Sequence, residues 1–201
     1  KEMPTSDDLQ TGPAIRKSKE EMLNQHARVI LMCGLSGAGK STLAARLDKD
    51  LFDRGFLSQV LDGDVVRSGL NRGLGYTEED RMENLRRVAE VAKLFAGCGV
   101  ICIVSFISPT RKCRQMAKNT IGSADFLETY INAPIEICEK RDSKGLYKQA
   151  REGKIRDFTG IDSPFEPPDS PAVEINTHKL SVEESATRLL NFVLPLIAHQ
   201  K

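Results

Sequence analysis

Short apolar runs alternate with amphipathic stretches along most of this 201-residue chain. Val29 to Cys33 reads VILMC, a continuous apolar run of the kind a strand needs when both its faces are covered. A Gly-rich turn follows, after which Leu43, Leu47 and Leu51 recur every four residues and predict a helix. Ser58 to Leu61 reads as a second strand, ending at Asp62-Gly63-Asp64. Thr77-Glu-Glu-Asp80 has the form of a capping box, with Asp80 where Glu or Gln is usual. It opens a long helix with Leu85, Val88, Ala92 and Phe95 on one stripe. Val100 to Ser105, Phe126 to Ile131 and Ala172 to Ile175 read as three more strands. Helices are expected over Thr110–Thr120 and Ile135–Arg141, and Ser181 to Glu184 caps a last one. Strands alternating with helices predict an α/β fold, with a parallel sheet of about five strands covered on both faces and right-handed crossovers.

Two segments break the pattern. Residues 1–26 are polar, with Pro4, Gly12 and Pro13, and read as an arm carrying one helical stretch from Ala14 to Gln25. Residues 27–201 then form the folded domain. Asp142 to Pro171 is rich in charge, Gly and Pro, and its length marks a functional loop.

Charge and cysteine usage narrow the class. Lys and Arg total 29 against 28 acidic residues, which argues against a general nucleic-acid binder. No apolar run is long enough to span a bilayer, and the first ten residues lack the apolar stretch of a secretion signal. A chain beginning at Lys1 reads as trimmed or as part of a longer one. Five cysteines without a CxxC pair fit a reducing, cytoplasmic setting better than a disulfide scaffold. The three histidines have no metal-ligand spacing.

The turn after Cys33 carries the chemistry. Gly34-Leu-Ser36-Gly37-Ala38-Gly39-Lys40-Ser41, followed by Thr42, matches GxxxxGK[ST] between an apolar strand and a helix. Its glycines let backbone N–H groups converge on phosphate oxygens, and the helix N-terminus adds positive potential. Lys40 is a flexible cation for the β- and γ-phosphates, and Ser41 offers a hydroxyl to Mg²⁺. A dinucleotide fingerprint would need GxGxxG instead. The fold class is therefore a P-loop NTPase-type three-layer sandwich that binds Mg·ATP.

Chemistry in an open parallel sheet gathers at the carboxyl ends of its strands. Strand two ends at Asp62-Gly63-Asp64 with Arg67 beyond, and strand three at Ser105-Phe106-Ile107-Ser108-Pro109. A carboxylate there either orients an acceptor hydroxyl, holds Mg²⁺ through water, or simply belongs to an Asp-Gly turn. Ser108 is either a site residue or the N-cap of the next helix. Arg67, Arg81 and Asn84 suit an anionic acceptor. Tyr76 and Phe158 are either base-stacking rings or core.

GLSGAGKST, LDGD, RxENxRRxAEVAKLFA (Arg81 to Ala96), SFISP and KGLYKQAREGKIRDFTGID (Lys144 to Asp162) together resemble the adenylylsulfate kinase family, in order over about residues 25–195. The resemblance implies ATP-dependent phosphorylation of the 3′-hydroxyl of adenosine 5′-phosphosulfate (APS), giving 3′-phosphoadenylylsulfate (PAPS). It implies that Asp64 lies near that hydroxyl, with Arg67 also on the acceptor. Arg81, Asn84, Ile107 and Ser108 would bind the phosphosulfate, and Tyr76 and Phe158 would sandwich the adenine. Lys144 and Asp157 would belong to a lid over about 142–162, and Asn176-Thr177 would lie by the ATP base. Lys40, Asp64 and Ser108 are the candidate catalytic residues, Ser108 as a conceivable phosphoserine. A homodimer is implied, and fusion or association with ATP sulfurylase is compatible with it. The chain departs from the family where Tyr76 replaces the usual Phe, and Thr110 and Cys113 replace a frequent Tyr and Asp. Two other readings stand beside this one: a P-loop kinase for another small acceptor, and a catalytically silent module that senses PAPS.

Overall fold

The computed structural model describes residues 13–199. Strands β1 (Val29–Cys33), β2 (Ser58–Asp62), β3 (Ile101–Ser105), β4 (Phe126–Asn132) and β5 (Val173–Asn176) form one sheet in the order β2-β3-β1-β4-β5. Every neighbouring pair is parallel. The central strand β1 is buried at all five positions because its two faces feed two separate cores. Ile30 and Met32 pack among residues of α2 (Lys40–Phe52) and α8 (Val182–Ile197), including Leu43, Leu47, Leu189 and Val193. Val29 and Leu31 pack instead against α4 (Glu78–Gly97) and α5 (Arg111–Ile121) through Val88, Ala92 and Ala117. Alternation along a strand sends successive side chains to opposite faces, so two covered faces require an unbroken apolar run.

Register aligns the strand ends that carry function. Met32 pairs with Ser105, Ser105 with Asp62, and Met32 with Thr129. The turns leaving β1, β2 and β3 therefore open at one edge of the sheet.

The helix signals hold with local differences. Ser181 makes a complete reciprocal box with Glu184. Thr77 accepts from the Asp80 amide at 3.2 Å and caps α4 by that bond. A short helix α3 (Gly63–Ser68) grows straight out of β2, where the sequence pattern predicted no helix; Asp62 caps it by accepting from the Asp64 amide. The charged 142–171 segment follows α6 (Ile135–Arg141) and contains α7 (Leu146–Arg151).

Residues 1–12 of the expected arm lie outside the described residues. The rest of it is docked rather than extended. Helix α1 (Pro13–Leu23) is held by Arg16, which donates to both carboxylate oxygens of Asp125 at 2.6 and 2.8 Å. Gln25 is fully buried; it donates to the carbonyls of Leu57 and Gly99 and accepts from the Leu57 amide. These polar anchors have no hydrophobic period, which is why the sequence showed no packing there.

Candidate active site

The turn after β1 is shaped by glycines that no other residue could replace. Gly34 has φ +148°, and a Cβ there would lie 2.2 Å from the Ile131 carbonyl oxygen. Gly37 has φ +76°, and its Cβ would lie 2.9 Å from the Cys138 oxygen. The loop is thus pressed against β4 and α6 just before α2 begins. Lys40, the first residue of α2, is 92% buried, and its Nζ donates to the Gly34 and Leu35 carbonyls at 2.9 and 2.8 Å. Burial lowers its pKa from 10.5 to about 8.

Beside it, Ser41 Oγ donates to Asp62 Oδ2 at 2.7 Å. Burial alone would raise the Asp62 pKa, but hydrogen bonds from Ser41, the Asp64 amide and Ser105, with the Lys144 charge, hold it below the usual value. Asp64 is exposed and ion-pairs with Lys144, which reaches over from the 142–171 segment.

Another part of the cleft lining is cationic and aromatic. Arg67 donates to the Leu74 and Gly75 carbonyls, and its guanidinium sits 4.6 Å from the centre of the Tyr76 ring. Arg81 donates to the Tyr76 and Asp157 carbonyls and lies 5.6 Å from the same ring. Burial, followed by the neighbouring Arg67 charge, lowers the Arg81 pKa. A pair of arginines held this way favours an incoming anion. Asn84, on the cleft side of α4, is 96% buried.

Phe158 is buried edge-on against Tyr147 at 5.0 Å, and Tyr147 Oη donates to the Ser36 carbonyl. The charged segment is thereby clasped to the Gly-rich turn. Ser108 is not the N-cap of α5; Thr110 takes that role by accepting from the Cys113 amide. Ser108 instead adopts φ +47° and is buried, its Oγ without a hydrogen-bond partner among the described residues. The buried Arg114 guanidinium braces it by donating to its carbonyl at 2.8 Å.

These groups share one cleft of about 1030 Å³. A profile of the family described as adenylylsulphate kinase matches residues 26–176. The chain belongs to the adenylylsulphate kinase family. Named adenylyl-sulfate kinases agree: one from Bacteroides thetaiotaomicron is 56% identical over 182 residues, 90% of each chain. Another from Clostridium acetobutylicum is 50% identical over 178 residues, covering 89% of this chain and 88% of that one. Among solved structures, the Mycobacterium tuberculosis APS kinase in complex with AMPPNP and APS is 40% identical with a TM-score of 0.81. It covers 84% of this chain and 98% of its own. A gluconokinase from Sinorhizobium meliloti, 16% identical with a TM-score of 0.59, shares the fold alone.

Within this adenylylsulfate kinase fold, most residues singled out from sequence line the cleft: Ser36, Gly37, Gly39, Lys40, Ser41, Thr42, Asp64, Arg67, Tyr76, Arg81, Asn84, Ile107, Ser108, Lys144, Phe158 and Thr177. Gly34, Ala38, Asp157 and Asn176 stand behind the lining. Ala38 and Asp157 still act through their carbonyls, which accept from Thr177 Oγ1 and Arg81. Tyr76 and Phe158 both line the cleft, Tyr76 from an exposed position and Phe158 from a buried one.

Sequence reasoning missed two contributors. Asp62 was weighed only within the Asp62-Gly63-Asp64 strand end, as a carboxylate for the acceptor or Mg²⁺ or as part of a turn, and was not singled out as a site residue, yet it accepts from Ser41 Oγ. Arg141, at the end of α6, donates to the Gly37 carbonyl and to both oxygens of Thr177. Nothing in the local sequence distinguished it from a solvated helix-end cation.

Proposed function

We propose that this chain transfers the γ-phosphoryl group of ATP to the 3′-hydroxyl of APS, producing ADP and PAPS. The observation that carries this reading is the layout of the cleft. The Gly-rich turn with Lys40 and Ser41, the Arg67–Tyr76–Arg81 cluster, and Asp62 and Asp64 all line this one cleft. The Mycobacterium tuberculosis relative is in complex with AMPPNP and APS, two nucleotides that each carry anionic groups.

Lys40 leaves its carbonyl partners to follow the β- and γ-phosphates. Asp64 orients the 3′-hydroxyl and accepts its proton as that oxygen attacks the γ-phosphorus and the bond to the β,γ-bridging oxygen breaks. The transition state needs positioning and charge neutralisation more than covalent help. Lys144 leaves Asp64 when the acceptor enters, and the 142–162 segment closes as a lid that excludes water. Arg81 and Asn84 hold the phosphosulfate, Tyr76 and Phe158 flank its adenine, and Thr177 and Arg141 lie toward the ATP base. Ser108 positions the acceptor by direct contact rather than carrying phosphate.

Ser41 and Asp62 are the residues that would hold Mg²⁺. An alcohol joined to a carboxylate that stays ionised is a donor set of hard oxygens and fits that ion. Bound there, Mg²⁺ would neutralise charge on the transferring phosphoryl.

Residues 27–201 act as one catalytic unit, assembled as a homodimer, in a reducing cytoplasmic compartment. The five free thiols support that setting. No helix among the described residues is long and apolar enough to cross a membrane.

The deciding assay is ATP-dependent formation of PAPS from APS by wild type and Lys40→Ala. Product from wild type alone supports the reading. Tight binding of PAPS with no product from either would overturn it in favour of a sensing module.

A further inference from the structure

We propose that Asn71, which lies outside the cleft lining, fixes the orientation of the Asn84 side chain and so makes Asn84 a hydrogen-bond donor to the anionic group of the acceptor. The proposal rests on the reading of Asn84 as an acceptor-binding residue.

Asn71 is completely buried between α3 and α4. Its Nδ2 donates to the Asn84 main-chain oxygen at 3.1 Å and to Asn84 Oδ1 at 2.7 Å. The logic of these two contacts is directional. A main-chain carbonyl only accepts, so the edge of Asn71 that faces it must be the NH2 group. The Asn84 atom sharing that NH2 must then be an oxygen. The free edge of Asn84 is therefore its own NH2, which has no hydrogen-bond partner among the described residues, on a side chain that lines the cleft.

Without Asn71, the amide of Asn84 could turn over with no change of shape and offer an oxygen that repels the acceptor. Asn71 Oδ1 is itself buried with no hydrogen-bond partner among the described residues. A residue kept only for packing would avoid that cost, since leucine fills nearly the same volume without a polar atom. The backbone of Asn71 is locked as well. Its amide donates to the Val66 carbonyl, and its own carbonyl accepts from Leu74, whose carbonyl accepts from Arg67. Asn71 thus ties the turn that holds Arg67 to the helix that carries Arg81 and Asn84. It is a positioning residue.

The test is a double-mutant cycle with Asn71→Leu and Asn84→Ala, reading kcat, KM for APS, KM for ATP and Tm. Asn71→Leu should raise KM for APS about 10- to 100-fold, the range for one hydrogen bond to a charged group. It should leave KM for ATP within about twofold and add nothing in the Asn84→Ala background. Additive effects, or a parallel rise in both KM values with a fall in Tm, would overturn the proposal while leaving the acceptor site intact. An unchanged KM for APS in Asn84→Ala would overturn it together with that reading of Asn84. A measurement on wild type needs no variant. The Asn84 side-chain NH2 resonances should shift on addition of APS, while those of Asn71 stay slow to exchange with solvent. Asn84 resonances that stay fixed would also defeat it.

Discussion

Raising the pH from 7 to 9.5 should weaken ATP binding by about 30-fold through Lys40, on the premise that ATP binds the charged lysine. Lys40 is 8% exposed, its ammonium hydrogen bonds go only to two carbonyl oxygens among the described residues, and burial brings its pKa down to about 8. Above that pH the neutral amine predominates in the free protein, and a phosphate must bring the proton back. The apparent Kd then grows as 1 + 10^(pH − pKa), a factor of roughly 1.1 at pH 7 and 30 at pH 9.5, or about 2 kcal/mol. Neighbouring thiols do not share the effect, since burial pushes Cys33 up to about 12 and also raises Cys138. Stability runs the other way. Between pH 8 and 10.5 the unfolded chain binds the proton and the folded one does not, so this lysine destabilises the fold at neutral pH. Stability should therefore rise through that interval while nucleotide affinity falls. Titration calorimetry in two buffers of different ionisation enthalpy reads both the Kd and the proton taken up. Uptake should approach one proton at pH 9.5, and Lys40→Met should bind weakly with no slope. A wild-type Kd that changes less than about threefold from pH 7 to 9.5, or an equal slope in Lys40→Met, would refute the reasoning.

Three further outcomes follow from named contacts. Asp64→Asn should lower kcat by about 10²- to 10⁴-fold, the range for losing a general base, and an unchanged kcat would remove Asp64 from that role. Ser108→Ala should retain turnover within about tenfold, because Ser108 only helps position the acceptor and carries no phosphate; loss by several powers of ten would instead favour a phosphoserine intermediate. Gln25→Ala should cost about 3 kcal/mol by removing the three hydrogen bonds of a fully buried side chain, seen in denaturant unfolding with KM values unmoved. A loss below about 1 kcal/mol would mean that α1 docks without Gln25.

What could be read along the chain was whatever depends on near neighbours. The strand Val29–Cys33 declared itself because two covered faces demand an unbroken apolar run, and α2 because its buried residues recur every four positions. The Gly-rich turn was equally legible, since backbone convergence on phosphate depends on a few consecutive glycines followed by Lys40 and Ser41. Asp64 and Arg67 were legible from their place at the end of strand two, and Arg81 and Asn84 from the pattern Arg81 to Ala96; folding brings all four to one cleft.

Tertiary structure alone decided the contacts made across long separations. Gln25 reaches Leu57 and Gly99, Arg141 reaches Thr177 and Gly37, and Lys144 reaches Asp64. A buried hydrogen bond needs one partner at one distance and leaves no period in the chain. The same holds for Asn71, whose bond to Asn84 spans 13 residues. Hydrophobic burial repeats along each element and is written many times over in the sequence. Polar pairing is written once, in two places, and becomes visible only when folding brings them together.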